Sequence, residues 1–227
     1  MKPVDRHPMW PLAEEASEIF EIAGKSIAEH FHQMPNPLDR EVYYPWDILN
    51  LAEYIIGSIS ESKIEGEVHE QAVVDGNLVL GKGSKILPGV YIEGNVWVGE
   101  NCRIGPNCYV RGNTSIANGC KIGNGVEVKN SVLSEGTSVA HLTYLGDSIT
   151  DKNVNIGGGT ITANLRHDGK NHHSEVCGVR TDTGRRKFGT VLGVDVHTGI
   201  NTSIYPGRKM GAYVTTLPSE VVKVDKE

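Results

Sequence analysis

From Val74 onward an aliphatic residue recurs at every sixth position: Val74, Leu80, Ile86, Ile92, Val98, Ile104, Val110, Ile116, Ile122 and Val128. Three residues after each of the first nine stands Asn or Gly: Asn77, Gly83, Gly89, Asn95, Asn101, Asn107, Asn113, Gly119 and Gly125. A six-residue step would carry the aliphatics around all faces of an α-helix, whereas an even step keeps them on one face of a strand. Asn and Gly are the residues that most readily accept positive φ. The spacing therefore predicts short strands ending in left-handed corners, three to a coil, stacked as a parallel β-helix around one apolar column. The fold class is all-β, and periodicity alone does not set the hand of the helix.

The pattern divides the chain. Residues 1–60 are expected to form an N-terminal helical segment, and 61–227 a hexapeptide-repeat β-helix. Leu12, Ala16, Ile19, Phe20, Ala23, Ile27 and Phe31 follow helical spacing from Pro11 to Met34, where Pro35-Asn36-Pro37 ends the run. A second helix is expected from Pro45 or Trp46 to about Ile56. Both are read as a cap over the first coil, since a solenoid needs its open end covered, with a dedicated partner-binding hairpin as the alternative. Two five-residue steps, Val128 to Leu133 and Leu145 to Thr150, interrupt the repeat, which runs on through Val139 and Ile156 to Thr162. The pattern then stops for a polar, basic excursion at about 165–190. It resumes with Leu192, Thr198, Ile204, Met210, Thr216 and Val222. A long excursion from a compact solenoid is expected to be a functional loop.

Composition narrows the chemistry. The 227 residues carry a formal charge of −6, which argues against general nucleic-acid binding and confines any anion site to a local pocket. Met1–Trp10 lacks an apolar leader and nothing later resembles a membrane span, so a cytoplasmic protein without membrane association is expected. Cys102, Cys108 and Cys120 each lie four residues after a repeat aliphatic and read as buried fillers, while Cys177 lies off the repeat.

Register also places charge. Arg111 and Lys129 each follow a repeat aliphatic, eighteen residues apart, and should stack on adjacent coils. They read either as a phosphate site, with Arg as fork and Lys as point charge, or as two splayed, solvated cations. His141 and Tyr144, in HLTYLGD, lie between the two short steps, and a lone His is structural or catalytic. His167, His172, His173 and His197 raise the alternative of a zinc enzyme of the carbonic anhydrase kind, although His167 and His172 belong to the excursion.

The stretches GNGVEVKN, HLTYLGD and NVNIGGGTITAN resemble the acetyltransferase half of the N-acetylglucosamine-1-phosphate uridylyltransferase/glucosamine-1-phosphate N-acetyltransferase family. ANLRHDGK, DTGRRKFGTVLG, TGINTSIYPGRK and YPWDILNLAEYII resemble more closely the bifunctional sugar-1-phosphate nucleotidylyltransferases that carry an amino-sugar acetyltransferase domain. The resemblance implies a left-handed β-helix, a homotrimer with active sites between subunits, acetyl-CoA as acyl donor and an amino-sugar phosphate such as glucosamine-1-phosphate as acceptor, with no catalytic metal. It implies that Arg111 and Lys129 hold the phosphate and that His141 is the general base. Tyr144, Asn155, Asn164 and Lys187 would line the sugar site, while Gly158, Asn164 and Ile200 would face the acyl donor. The chain departs from the family in three places. No glycine-rich nucleotide loop precedes the repeats, which leads us to expect no uridylyl transfer. The chain stops at Glu227, short of the family's C-terminal arm, and Leu165 stands where one branch has tyrosine. A non-catalytic β-helix trimer, a scaffold or regulatory remnant, is the alternative.

Overall fold

The computed structural model describes residues 7–13, 15–33 and 42–227. From Lys63 the chain winds through strands of two to four residues that stack, all parallel, into three sheets of six, eight and eight strands. The first face runs from Glu67–Val68 to Asn155–Ile156, the second from Val73–Asp75 to Val221–Val222, and the third from Lys63–Ile64 to Arg208–Met210. This is the β-helix that the repeat predicts. Val74, Ile92, Val110 and Val128 pair in successive coils, and Leu145 follows seventeen residues after Val128, so each five-residue step shortens one coil without breaking the ladder. The aliphatic column and the free thiols of Cys102, Cys108 and Cys120 fill the core, and Cys177 is exposed. Burial pushes the Cys108 thiol up to about 12, as suits an inert filler.

The corners differ from expectation in one respect. Gly83, Gly89, Asn101, Asn107, Gly119 and Gly125 take positive φ as the spacing predicts. At the corner between the second and third faces the left-handed residue falls one position earlier, at Gly76, Gly94, Gly112, Asn130 and Asp147. Asn77 and Asn95 there use their amides instead, Asn77 Nδ2 donating to Asn95 Oδ1 at 3.0 Å and Asn95 Nδ2 to the Ile59 carbonyl at 2.9 Å.

The N-terminal segment lies elsewhere than expected. Helices α1 (Ala16–Ile19), α2 (Ile27–Gln33) and α3 (Pro45–Gly57) pack along the third face, not over the first coil. Among the described residues nothing covers that end, where Ile64 and Val68 are 46% and 38% exposed. The physical reason is a second apolar column. On the third face the outward positions Trp97, Ser115, Val132, Ile149 and Val191 stack in register. Their counterparts on the first face are Lys85, Arg103, Lys121, Ser138 and Asn155. Val132, Ile149 and Val191 join Trp46, Ile48, Leu49, Leu51 and Ile56 in one buried cluster. The flank thus buries apolar area that the open end does not offer.

The continuous helix expected from Pro11 to Met34 is broken. A two-stranded hairpin, Glu21–Ile22 with Lys25–Ser26, separates α1 from α2, and its turn places Ala23 and Gly24 at φ 50° and 74°. A Cβ on Gly24 would sit 3.0 Å from the Trp97 ring, so the turn needs glycine both for its conformation and for its approach to the third face. The Pro35–Pro37 break and Met34 lie outside the described residues. Helix α3 matches its expected span; Pro45 opens it, and Asp47 accepts from the Tyr44 N–H at 2.8 Å. The excursion is a β-hairpin, His173–Val176 with Val179–Asp182, turning at Cys177-Gly178.

Candidate active site

The expected site residues, Asn155 excepted, gather at the two edges of the second face. At its edge with the third face, Arg111 and Lys129 are register partners, as their spacing predicts. Each cation carries a carboxylate. Arg111 makes two bonds of 2.8 Å to Glu127 Oε1, through Nε and Nη2, and lies over the Tyr109 ring. Lys129 Nζ lies 3.0 and 2.9 Å from the two oxygens of Asp147, a carboxylate only 2% exposed against 15% for the lysine. Stacked like charges are thereby held by alternate anions, a solution that the sequence reading did not include.

Asp147 is the centre of this edge. Besides Lys129 it accepts from Asn130 Nδ2 at 3.0 Å and from Asn164 Nδ2 at 2.6 Å. The Asn164 amide also donates to the Tyr144 hydroxyl at 2.9 Å. Burial, then the charges of Asp147 and Glu127, raise the Tyr144 phenol above its usual range and keep it a neutral donor. Gly146 makes room for this group: a Cβ there would fall 2.3 Å from the Tyr144 hydroxyl and 2.9 Å from Asn164 Nδ2. The excursion leaves and rejoins the coils at the same edge and brings Lys187 alongside. Asn50, Glu53, Lys129, Asn130, Asp147 and residues 184–187 line one cavity of about 410 Å³. Tyr144, Asn164, Lys129 and Lys187 thus converge, with Arg111 one coil above Lys129.

At the opposite edge, between the first and second faces, His141 ends the strand Ser138–His141 and is exposed. Its ring has no hydrogen-bond partner among the described residues. Gly158 stacks directly against it, a Cβ on Gly158 falling 3.4 Å from that of His141. The Gly158 N–H has no acceptor there either, while its carbonyl takes the Asn201 N–H at 2.8 Å. Ile200 and Leu142, 57% and 66% exposed, border this corner. A free imidazole beside a free amide donor and an apolar margin can serve as base, oxyanion donor and wall. Asn155 stands apart from both groups, exposed at the start of the first-face strand that leads to Gly158, in register with Ser138 and bridged to His197.

The histidines weighed as zinc ligands do not converge. The His172 ring bonds to the Asn164 carbonyl at 3.1 Å, and His173 pairs with Asp182 in the hairpin. Among the described residues no three His, Cys, Asp or Glu side chains form a metal-binding group, and no helix is long and apolar enough to cross a membrane. Sequence reasoning missed Glu53, Glu127, Asn130, Asp147 and Arg185. One signal was present: in the corner column Gly76, Gly94, Gly112, Asn130, Asp147, glycine gives way to functional side chains on the two coils that carry Lys129 and Tyr144.

Residues 92–209 match the family model described as GMPPB C-terminal domain. A bifunctional sugar-1-phosphate nucleotidylyltransferase/acetyltransferase of Sulfurisphaera tokodaii is 41% identical over 181 residues, 80% of this chain and 45% of that protein. The bifunctional protein GlmU of Methanococcus maripaludis is 37% identical over 172 residues, 76% of this chain and 41% of its own length. The chain thus spans under half the length of these curated relatives. A UDP-N-acetylglucosamine acyltransferase structure from Francisella novicida superposes with a TM-score of 0.46 at 12% identity, covering 70% of this chain and 63% of that one.

Proposed function

The chain belongs to the GMPPB C-terminal domain family, and on that premise we propose that it is an acetyl-CoA-dependent N-acetyltransferase acting on an amino-sugar phosphate such as glucosamine-1-phosphate. The observation that carries this reading is the pairing of the His141 ring with the Gly158 N–H, neither with a hydrogen-bond partner among the described residues, beside the coils that present Lys129, Tyr144 and Asn164. The names of the relatives, which join sugar-1-phosphate and acetyltransferase chemistry, support it.

An amino sugar is mostly ammonium near neutrality. His141 takes its proton and frees the nitrogen lone pair for attack on the thioester carbonyl. The carbonyl oxygen becomes an oxyanion, which the fixed Gly158 N–H receives. The intermediate then collapses: the C–S bond breaks, the departing thiolate takes up the second proton from the nitrogen, and the amide and free thiol result. Lys129 and Lys187 hold the phosphate, with Arg111 above them. Tyr144 and Asn164 orient the sugar, Asn155 contacts it from an adjoining subunit, and Ile200 lies against the acyl donor. The two groups occupy opposite edges of one face, so a homotrimer packed side by side closes the site between neighbours. No metal enters this chemistry.

The test is thiol release from acetyl-CoA with a panel of amino-sugar phosphates, glucosamine-1-phosphate and galactosamine-1-phosphate among them. One phosphorylated acceptor should support release, and His141→Ala should reduce turnover by at least about a hundredfold while sedimentation still reports the wild-type oligomer. Unchanged turnover in His141→Ala removes it as the base. No release across the panel from a folded trimer favours the scaffold reading.

A further inference from the structure

The hydrogen bonds behind the two lysines lead to the N-terminal helix. The Asn130 amide directs its two hydrogens to carboxylates, one to Asp147 at 3.0 Å and the other to Glu53 of α3 at 2.8 Å. An amide between two acceptors has one orientation, NH₂ toward both, so Asn130 is a fixed rivet between them. Glu53 Oε1 also receives Arg185 Nη2 at 2.5 Å. The rest of that guanidinium fork is committed as well, Nη1 to Asn50 of the same helix and Nε to the Lys187 carbonyl at 3.3 Å. Arg185 is only 10% exposed, and a cation so buried needs its carboxylate. Glu53 is the node where two paths meet, one through Asn130 and Asp147 to Lys129, the other through Arg185 to Lys187.

We propose that Glu53 is a positioning residue for the anion site, setting the separation of the Lys129 and Lys187 ammonium groups from a helix that lies outside the β-helix. Two point charges bind a tetrahedral anion only at a limited separation, and here neither lysine is placed by its own coil alone. Lys129 is drawn to Asp147, whose orientation depends on Asn130. Lys187 sits on the excursion, whose only side-chain hydrogen bonds to α3 among the described residues are those of Arg185 to Asn50 and Glu53; the ring contact of Phe188 with Trp46 is apolar and carries no charge to the lysines. The identity of the anion as a sugar phosphate rests on the acetyltransferase reading; the positioning role does not.

The experiment is titration calorimetry of the full chain with glucosamine-1-phosphate and, separately, with inorganic phosphate, alongside acceptor and acetyl-CoA kinetics. Glu53→Ala should weaken both anions roughly tenfold and raise the acceptor KM by a similar factor, with kcat and the acetyl-CoA KM held. Ile55→Val loosens the same helix without removing a polar partner and should leave both affinities at the wild-type value. Wild-type affinity in Glu53→Ala, or an equal loss in Ile55→Val, overturns the proposal. If Glu53→Ala does not fold, Glu53→Gln is read in its place: it leaves Arg185 uncompensated, so a threefold or larger loss supports the role and an unchanged affinity overturns it. Phosphate binding by a wild-type protein that releases no thiol ends the acetyltransferase reading and leaves this one standing. Failure of the wild type to bind either anion ends this one.

Discussion

Asp147 shows how much one side chain carries at this site. It occupies a left-handed corner at φ 51°, a conformation that Asp and Asn tolerate better than other residues with a side chain. Four hydrogen bonds converge on it from Lys129, Asn130 and Asn164. A carboxylate this enclosed repays its desolvation only through those partners, and removing one side of such a pair strands the other. Asp147→Ala should therefore lower unfolding free energy by about 3 kcal/mol, read by urea denaturation, because Lys129 and two amides lose their acceptor. The paired change Lys129→Met with Asp147→Asn should recover part of that loss while abolishing the phosphate binding proposed for Lys129. That outcome separates what the pair does for the fold from what the lysine does for the ligand.

At the scale of elements, the excursion is held by a buried histidine. His172 sits between the Asn164 carbonyl and the Phe188 ring, and burial, reinforced by nearby Arg166 and Arg208, lowers its pKa from the ordinary 6.5. A histidine held neutral in the folded state binds its proton more readily when unfolded. Its contribution to stability is therefore present above about pH 6.5 and is lost as pH falls from there through the depressed folded value. Wild-type thermal midpoints should fall more steeply between pH 7 and 5 than those of His172→Gln, which cannot charge. Parallel slopes in the two proteins would remove His172 as the source. Since the same ring holds the Asn164 backbone, acid should loosen the edge that carries Asn164 and Tyr144 before the coils themselves unfold.

At the scale of the whole molecule, two apolar columns share one wall. The inner column fills the prism and the outer one, on the third face, is covered by the N-terminal helices. A lysine closes the outer column: Lys209, register partner of Val191, is buried, lies over the Trp10 ring and donates to the Glu175 carbonyl at 2.6 Å. One side chain thus meets the N-terminal segment, the hairpin and the last coils. Deleting residues 1–60 would expose Val132, Ile149, Val191 and Phe188 together, a patch of the kind that drives association. The truncated chain should bind a hydrophobic dye and aggregate at concentrations where the full chain stays dispersed. A soluble, well-behaved truncation would mean that the flank contact contributes little.

The β-helix was legible because its period is a local property. Each strand is a six-residue unit whose aliphatic, corner and cysteine positions repeat, so the stacking of Arg111 on Lys129 and the seventeen-residue coils follow from counting. The expectation that His141, Tyr144, Lys129 and Asn164 serve one site came from motif resemblance, as did the hand of the helix; the structure brings Tyr144, Lys129 and Asn164 to one edge and His141 to the other. What tertiary structure alone decided is where non-repeating segments go and which charges meet. The apolar column Trp97, Val132, Ile149, Val191 is spread over residues 97–191 and becomes a docking wall only when the coils stack, so helices expected at the end lie on the flank. Glu53 and Asn130 are 77 residues apart, and Glu53 and Arg185 132 apart. No spacing rule links such pairs, because a period describes contacts within the solenoid and these contacts lie between the solenoid and what packs against it.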